Sequence, residues 1–162
     1  MSQRGVIVSK VVELLQAEAG QGHVHRYAMR PIEQDKLPAY VPYVTSVKCT
    51  DEGQPWGMRE YDMDLRIEAR AIGKEVDAVL DPMISLIQAV MLREPFLDGT
   101  AFHVKEGEVQ YDALDRDKCY CAAACDYTVR FYEDSTTQGA EPLEPNPYGA
   151  NLQIVDFRET TS

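Results

Sequence analysis

The sequence is poor in the residues that most often announce chemistry. It holds 3 histidines, 4 cysteines and 1 tryptophan in 162 residues. Lys and Arg number 16 against 27 Asp and Glu, a formal net charge of −11. Nucleic-acid binders neutralise phosphates with cations, so a sequence-specific DNA- or RNA-binding protein is disfavoured. The same deficit disfavours an anionic membrane surface. No apolar run approaches the roughly 20 residues that cross a bilayer. The stretch Met1 to Lys10 lacks a signal peptide's apolar core and cleavage site. A soluble protein kept in a reducing cytoplasm, without structural disulfides, is therefore expected.

Catalytic signatures are scarce in the same way. Gly20-Gln21-Gly22 lacks the third glycine and the lysine of phosphate-cradling loops. No serine sits in a Gly-x-Ser-x-Gly elbow, and Ser9, Ser46 and Ser85 have no evident base partner. These absences make the case for an enzyme weak.

The clusters that are present admit a bland reading each. Cys119-x-Cys121-x-x-x-Cys125 has even spacings only, so the three thiols extend along one strand face instead of converging on a metal. Cysteine is a common buried residue, and core packing is the favoured role. Cys49 is the remaining cysteine and joins the cluster only if the fold brings it there. His23 and His25 share a strand face, with only His103 elsewhere, and a surface pair with a weak pH response is favoured. Asp62, Asp64 and Glu68 share a face with Arg66 and Arg70. Paired carboxylates can run acid–base chemistry when their pKa values are driven apart. Interleaved with arginines, they fit cross-strand ion pairing or a contact surface between subunits better.

A hydrophobic fraction of 44% is enough for a core, and the length fits one domain. The chain is organised around Arg59–Arg93. From Tyr61 to Ile72 it alternates: Tyr61, Met63, Leu65, Ile67, Ala69 and Ala71 on one side, Asp62 to Arg70 on the other. That is a strand with a dry face and a wet face. After Gly73 the period changes. Val76, Val79, Leu80, Met83, Ile87, Val90 and Met91 make the stripe of an amphipathic helix from Lys74 to Arg93, expected to bend at Pro82.

Upstream, Ser2 to Ala19 carries Val6, Val8, Val11, Val12, Leu14, Leu15 and Ala19 near helical spacing, capped by Ser2 and ended by Gly20. His23 to Met29 alternates and predicts a short strand. Arg30 to Ala39, with Pro31 and Pro38, reads as a loop. Tyr40 to Cys49 predicts a strand, with Val41, Tyr43, Thr45 and Val47 on one face and Pro42 at an edge or near the start. Downstream, Ala101–Val104 and Glu108–Tyr111 predict strands about a turn at Glu106-Gly107. Asp115 to Asp117 is a polar break. Cys119 to Tyr132 alternates as a last strand, with small residues at Ala122 to Ala124 that imply close packing. Asp134 to Asn151 is rich in Pro and Gly, and Leu152 to Phe157 is a short apolar end. The predicted class is α+β: a mainly antiparallel sheet of about four to six strands, two helices on one face, and an extended C-terminal arm. Residues 1–133 form the domain and 134–162 the arm.

The order of these segments resembles the phage tail terminator family, the minor tail protein U-like proteins of long-tailed phages. Carrying the resemblance are Arg30-Pro31 after the first helix, Leu37-Pro38-Ala39 leading into the next strand, the alternating Tyr61–Ile72, the helix Lys74–Arg93 and the closing Tyr127-Thr-Val-Arg-Phe-Tyr132. It covers about residues 3 to 132. Pro82, the three cysteines and the arm depart from it.

The resemblance implies a structural virion protein at the head-proximal end of the tail. It would be a homohexameric ring that ends tail-tube growth and meets the head–tail connector. Implied partners are further copies of itself, the tube protein, the connector or neck protein, and a sheath protein in a contractile tail. It would need no cofactor and no metal and catalyse nothing. DNA would pass through without specific binding, and no membrane would be involved. Another neck, tail-completion or contractile-tail component is the nearest alternative. A small metal-binding or hydrolytic enzyme using His23, His25 and the Cys119 cluster is the alternative from another class. The candidate assembly residues are Trp56, Met58, Asp62, Asp64, Arg66, Glu68 and Arg70, with Tyr148, Leu152, Ile154 and Phe157 on the arm.

Overall fold

A computed structural model describes residues 2–20, 23–26, 32–50 and 57–134. The order of elements is α1 (Gln3–Ala19), β1 (Ala39–Cys49), β2 (Met58–Ile72), α2 (Val76–Arg93), β3 (His103–Asp115) and β4 (Tyr120–Asp134). The strands form one antiparallel four-stranded sheet in the order β1-β2-β4-β3. The class is the expected α+β, at the lower end of the expected strand number.

α1 begins as its sequence dictates. The Ser2 hydroxyl accepts from the Gly5 amide at 3.3 Å, satisfying one of the otherwise unpaired first-turn donors. At the other end Gly20 takes φ 91, which a side chain would resist, and its N–H closes on Gln16 O at 2.9 Å. The buried stripe is Ile7, Val11, Val12 and Leu15. Ile7, absent from the expected set, is fully buried, whereas Val8 and Leu14 only lean on the core.

α2 starts at Val76, two residues later than expected, and runs through Pro82 to Arg93. Proline leaves the Ala78 carbonyl without its i+4 donor, and Pro82 lies on the exposed side where water can serve that carbonyl. Val79 is exposed and drops out of the stripe, while Ile84 joins it. The hundred-degree step per residue puts position 84 closer than 79 to the line through Leu80, Ile87 and Met91.

The helices cover one face of the sheet. Met63, Leu65, Ile67 and Ala69 of β2 and Ala123, Cys125, Val129 and Phe131 of β4 meet Ile7, Val11 and Leu15 from α1 and Leu80, Ile87 and Val90 from α2. Each large side chain so buried contributes about 1.5–3 kcal/mol relative to exposure. The rings of Tyr61 and Phe131 stack at 5.4 Å between β2 and β4. α2 packs on β2 and β4, and α1 packs chiefly on β1. β3 extends beyond them: Tyr111 shares the helix-side face with Ala123, its register partner, yet is 64% exposed.

Several local expectations are corrected. Residues 103–115 form one continuous strand, and Glu106-Gly107 is not a turn. The register to β4 shifts between Glu106 and Val109, a bulge at Gly107-Glu108. Gly107 is needed there for close approach, because a Cβ would stand 3.0 Å from the Asp126 carbonyl oxygen. A second bulge, between Val44 and Ser46, breaks the alternation of β1. It moves Val47 to the helix side with Tyr40 and Val44, and sets Ser46 opposite Asp64 on the other face. Pro42 sits on an edge strand and near its start, as a residue without an N–H must. Of the strand expected at His23–Met29, the described residues show a single parallel bridge from Val24 to Tyr40. Leu37-Pro38-Ala39 leads into β1, with the Leu37–Pro38 peptide cis. Arg30-Pro31 and the arm beyond Asp134 lie outside the described residues.

Candidate functional site

The face of the sheet away from the helices is formed by the even-numbered residues of β2 and β4, flanked by β1 and β3. The antiparallel register places Asp62 directly opposite Arg130 and Arg66 directly opposite Asp126. Each pair closes as a two-pronged fork. Arg130 donates to Asp62 through Nε at 2.9 Å and Nη2 at 3.0 Å. Arg66 donates to Asp126 through Nε at 2.7 Å and Nη2 at 3.0 Å, and reaches Gln110 Oε1 at 3.3 Å. A planar guanidinium matches a carboxylate in this geometry, which is stronger and more directional than a single ion contact.

Arg70 is solved differently. Its register partner is Ala122, which offers no charge, so its Nε turns along its own strand to Glu68 Oε1 at 2.7 Å. Tyr43 of β1 donates to the other Glu68 oxygen at 2.6 Å. Arg70 is only 7% exposed, an ionic group under cover on the wet side of a sheet. Ala122 and Ala124, opposite Arg70 and Glu68, are buried too. Their small size lets the longer side chains lie flat, the close packing that the alanine run implied. Burial, and secondarily the Glu68 contact, pushes the Tyr43 hydroxyl up to about 12. Hydrogen bonding from Arg130 holds Asp62 below its ordinary 3.8.

The face is completed by Ser46, whose hydroxyl donates to Asp64 at 2.7 Å, and by Glu60, which accepts from Thr50 and Tyr132 at 2.6 Å each. Phe102 meets Tyr132 edge-on at 5.4 Å. Thus Asp62, Asp64, Arg66, Glu68 and Arg70 are brought together as expected, each on a defined partner. Met58 opens β2 and is 45% exposed. Trp56, Tyr148, Leu152, Ile154 and Phe157 lie outside the described residues. Arg130 and Asp126 were not among the candidates. Their signal is in the sequence, because reading Asp62 to Arg70 against Ala122 to Arg130 in reverse brings opposite signs together.

The cysteines do not form one line. Cys119 precedes β4 in the turn, with φ 53 in the left-handed region, and is exposed. Cys121 is half-buried, and Cys125 is buried with its thiol pushed up to about 12 by that burial. His23 hydrogen-bonds through Nδ1 to the Pro38 carbonyl oxygen at 3.0 Å. Among the described residues no three His, Cys, Asp or Glu side chains are grouped to hold a metal. No helix among them is long and apolar enough to cross a membrane. No protein-family model matches this chain, and no curated protein matches it.

Proposed function

We propose that the chain is a structural virion protein of a long-tailed phage. It assembles as a ring, a homohexamer in the family it resembles, at the head-proximal end of the tail tube. There it ends tube polymerisation and presents a surface to the connector or neck protein. It carries no cofactor and catalyses nothing.

The observation that carries this reading is the self-paired outer face. Its arginines are already engaged: Arg66 by Asp126, Arg130 by Asp62 and Arg70 by Glu68. For DNA phosphates to bind there, they would have to displace carboxylates held in good geometry, inside a chain of net charge −11. A broad, stiff, non-adhesive sheet suits a channel through which DNA must slide. Among the described residues both helices lie on one face of the sheet, an arrangement that suits such a role.

The test is mass measurement in solution with negative-stain imaging, with and without tail tubes. Six-fold rings seated on one end of tubes, and no retention on DNA at about 0.15 M salt, are the expected results. Rings that bind only the head portal would move the protein to the neck. A chain that stays monomeric and leaves tubes uncapped would overturn the proposal.

A further inference from the structure

A self-paired outer face leaves open where one copy would touch the next, and the two flanks of the sheet supply the answer. On the β3 side the helix layer stops short. Leu92 of α2 is 81% exposed, and Tyr111 and Leu114 of β3 are exposed. Between α2 and β3 lie cavities of about 150 and 170 Å³, the first walled by Met91, Val104 and Tyr127, the second by Leu80, Tyr111 and Cys121. The Tyr127 hydroxyl is buried there without a hydrogen-bond partner. Three carboxylates lie along this flank: Asp77 on the helix, Glu106 just before the bulge and Glu108 on it. Gln88 donates to Glu106 at 2.8 Å, and Gln110 donates to Glu108 at 3.0 Å. Lys105 of β3 and Arg93 of α2 are the exposed cations beside them. Large side chains left in water beside unfilled hollows mark a contact surface.

The β1 side has the opposite character. A groove of about 600 Å³ runs between α1 and the β1 edge, floored by Val8, Pro42, Val44 and Val47. Its charged walls are Arg4 and Arg26, both exposed. In a chain with 27 acidic and 16 basic residues, a groove flanked by arginines is a local reversal of sign.

We infer that the β3–α2 flank of one copy seats in the α1–β1 groove of the next, apolar side chains into the groove and Glu106 and Glu108 against Arg4 and Arg26. β1 and β3 are the two edges of one sheet, so a single copy cannot satisfy the contact within itself. Each copy presents one flank of each kind, which makes the contact head-to-tail, the type that closes into rings. Charge complementarity fixes the direction of the join and disfavours like flanks meeting. The inference rests on the ring reading and deepens it by naming the subunit interface.

The full-length chain, with Arg4→Glu/Arg26→Glu as one variant and Glu106→Lys/Glu108→Lys as another, is examined by sedimentation velocity, with circular dichroism as the check on folding. Wild type is expected as rings, and each variant alone as the 18.3 kDa chain. An equimolar mixture of the variants is expected to restore rings, because every junction then pairs opposite signs again. A benzoylphenylalanine at position 111 should photo-crosslink to residues 4–8 or 42–47 of another copy. Wild-type rings with variants that assemble equally well would overturn this interface and leave the ring standing. Crosslinks to residue 111 of another copy, or to residues 152–157, would overturn it in favour of a symmetric join or of the tail. A wild-type chain that remains monomeric would overturn both readings.

Discussion

Arg70 and Glu68 form the least exposed ion pair on the outer face, with side chains 9% and 12% exposed. Charges held this far from water are stabilising only while both are present, since removing one leaves the other uncompensated. Arg70→Ala is expected to cost about 3 kcal/mol in urea unfolding. The triple change Tyr43→Phe, Glu68→Leu, Arg70→Met removes both charges and the hydroxyl bound to them together and should recover most of that loss. The more exposed Asp62–Arg130 fork is legible through pH. Asp62 is held below 3.8 when folded, so its stabilisation is present above that value and fades as pH falls through the depressed one. Arg130→Gln should therefore lower the urea midpoint at neutral pH. Its deficit against wild type should shrink as both are titrated below about pH 3.8. Equal deficits at both pH values would assign the loss to packing and not to charge.

At the scale of elements, α2 is the helix whose sequence argues with itself. Its buried stripe is strong, and Pro82 interrupts the hydrogen-bond ladder in its seventh position. The helix persists because burial of Leu80, Met83, Ile84 and Ile87 outweighs one lost bond of about 3 kcal/mol or less. Pro82→Ala is expected to stabilise the fold by about 2 kcal/mol, the restored bond less the greater entropy of the unfolded chain. No gain in the thermal midpoint would mean that the surrounding contacts are built for the proline. β3 shows the converse case. Its residues broke into two apparent strands because Glu106-Gly107 has turn composition, whereas the glycine serves a bulge pressed against Asp126. Composition alone does not separate a turn from a bulge, since both use glycine where the backbone needs room.

At the scale of the whole molecule, the described core cluster is drawn from residues 7 to 131. A chain ending at Asp134 should keep the melting midpoint and circular dichroism of the full chain. If flanks join copies, it should also keep the assembled mass in sedimentation. An intact fold with the assembled mass lost would transfer the bridging role to the apolar segment Leu152–Phe157. The net charge of −11 belongs to this scale too. It opposes association of copies except where opposite signs are set face to face, the part proposed above for the groove of Arg4 and Arg26.

The sequence by itself determined the α+β class, the dry and wet faces of β2, the α1 cap and stop, and the close packing at Ala122 and Ala124. These follow from periodicity and from local backbone preferences, which act over a few residues. Only the tertiary structure decided that Asp62 and Arg66 find Arg130 and Asp126, that Arg70 turns aside to Glu68, that Cys119 leaves its strand, and that the helices stop short of β3. Those outcomes depend on strand order, register and bulges. They are set by residues about 60 positions apart meeting in one sheet, as Arg66 and Asp126 do.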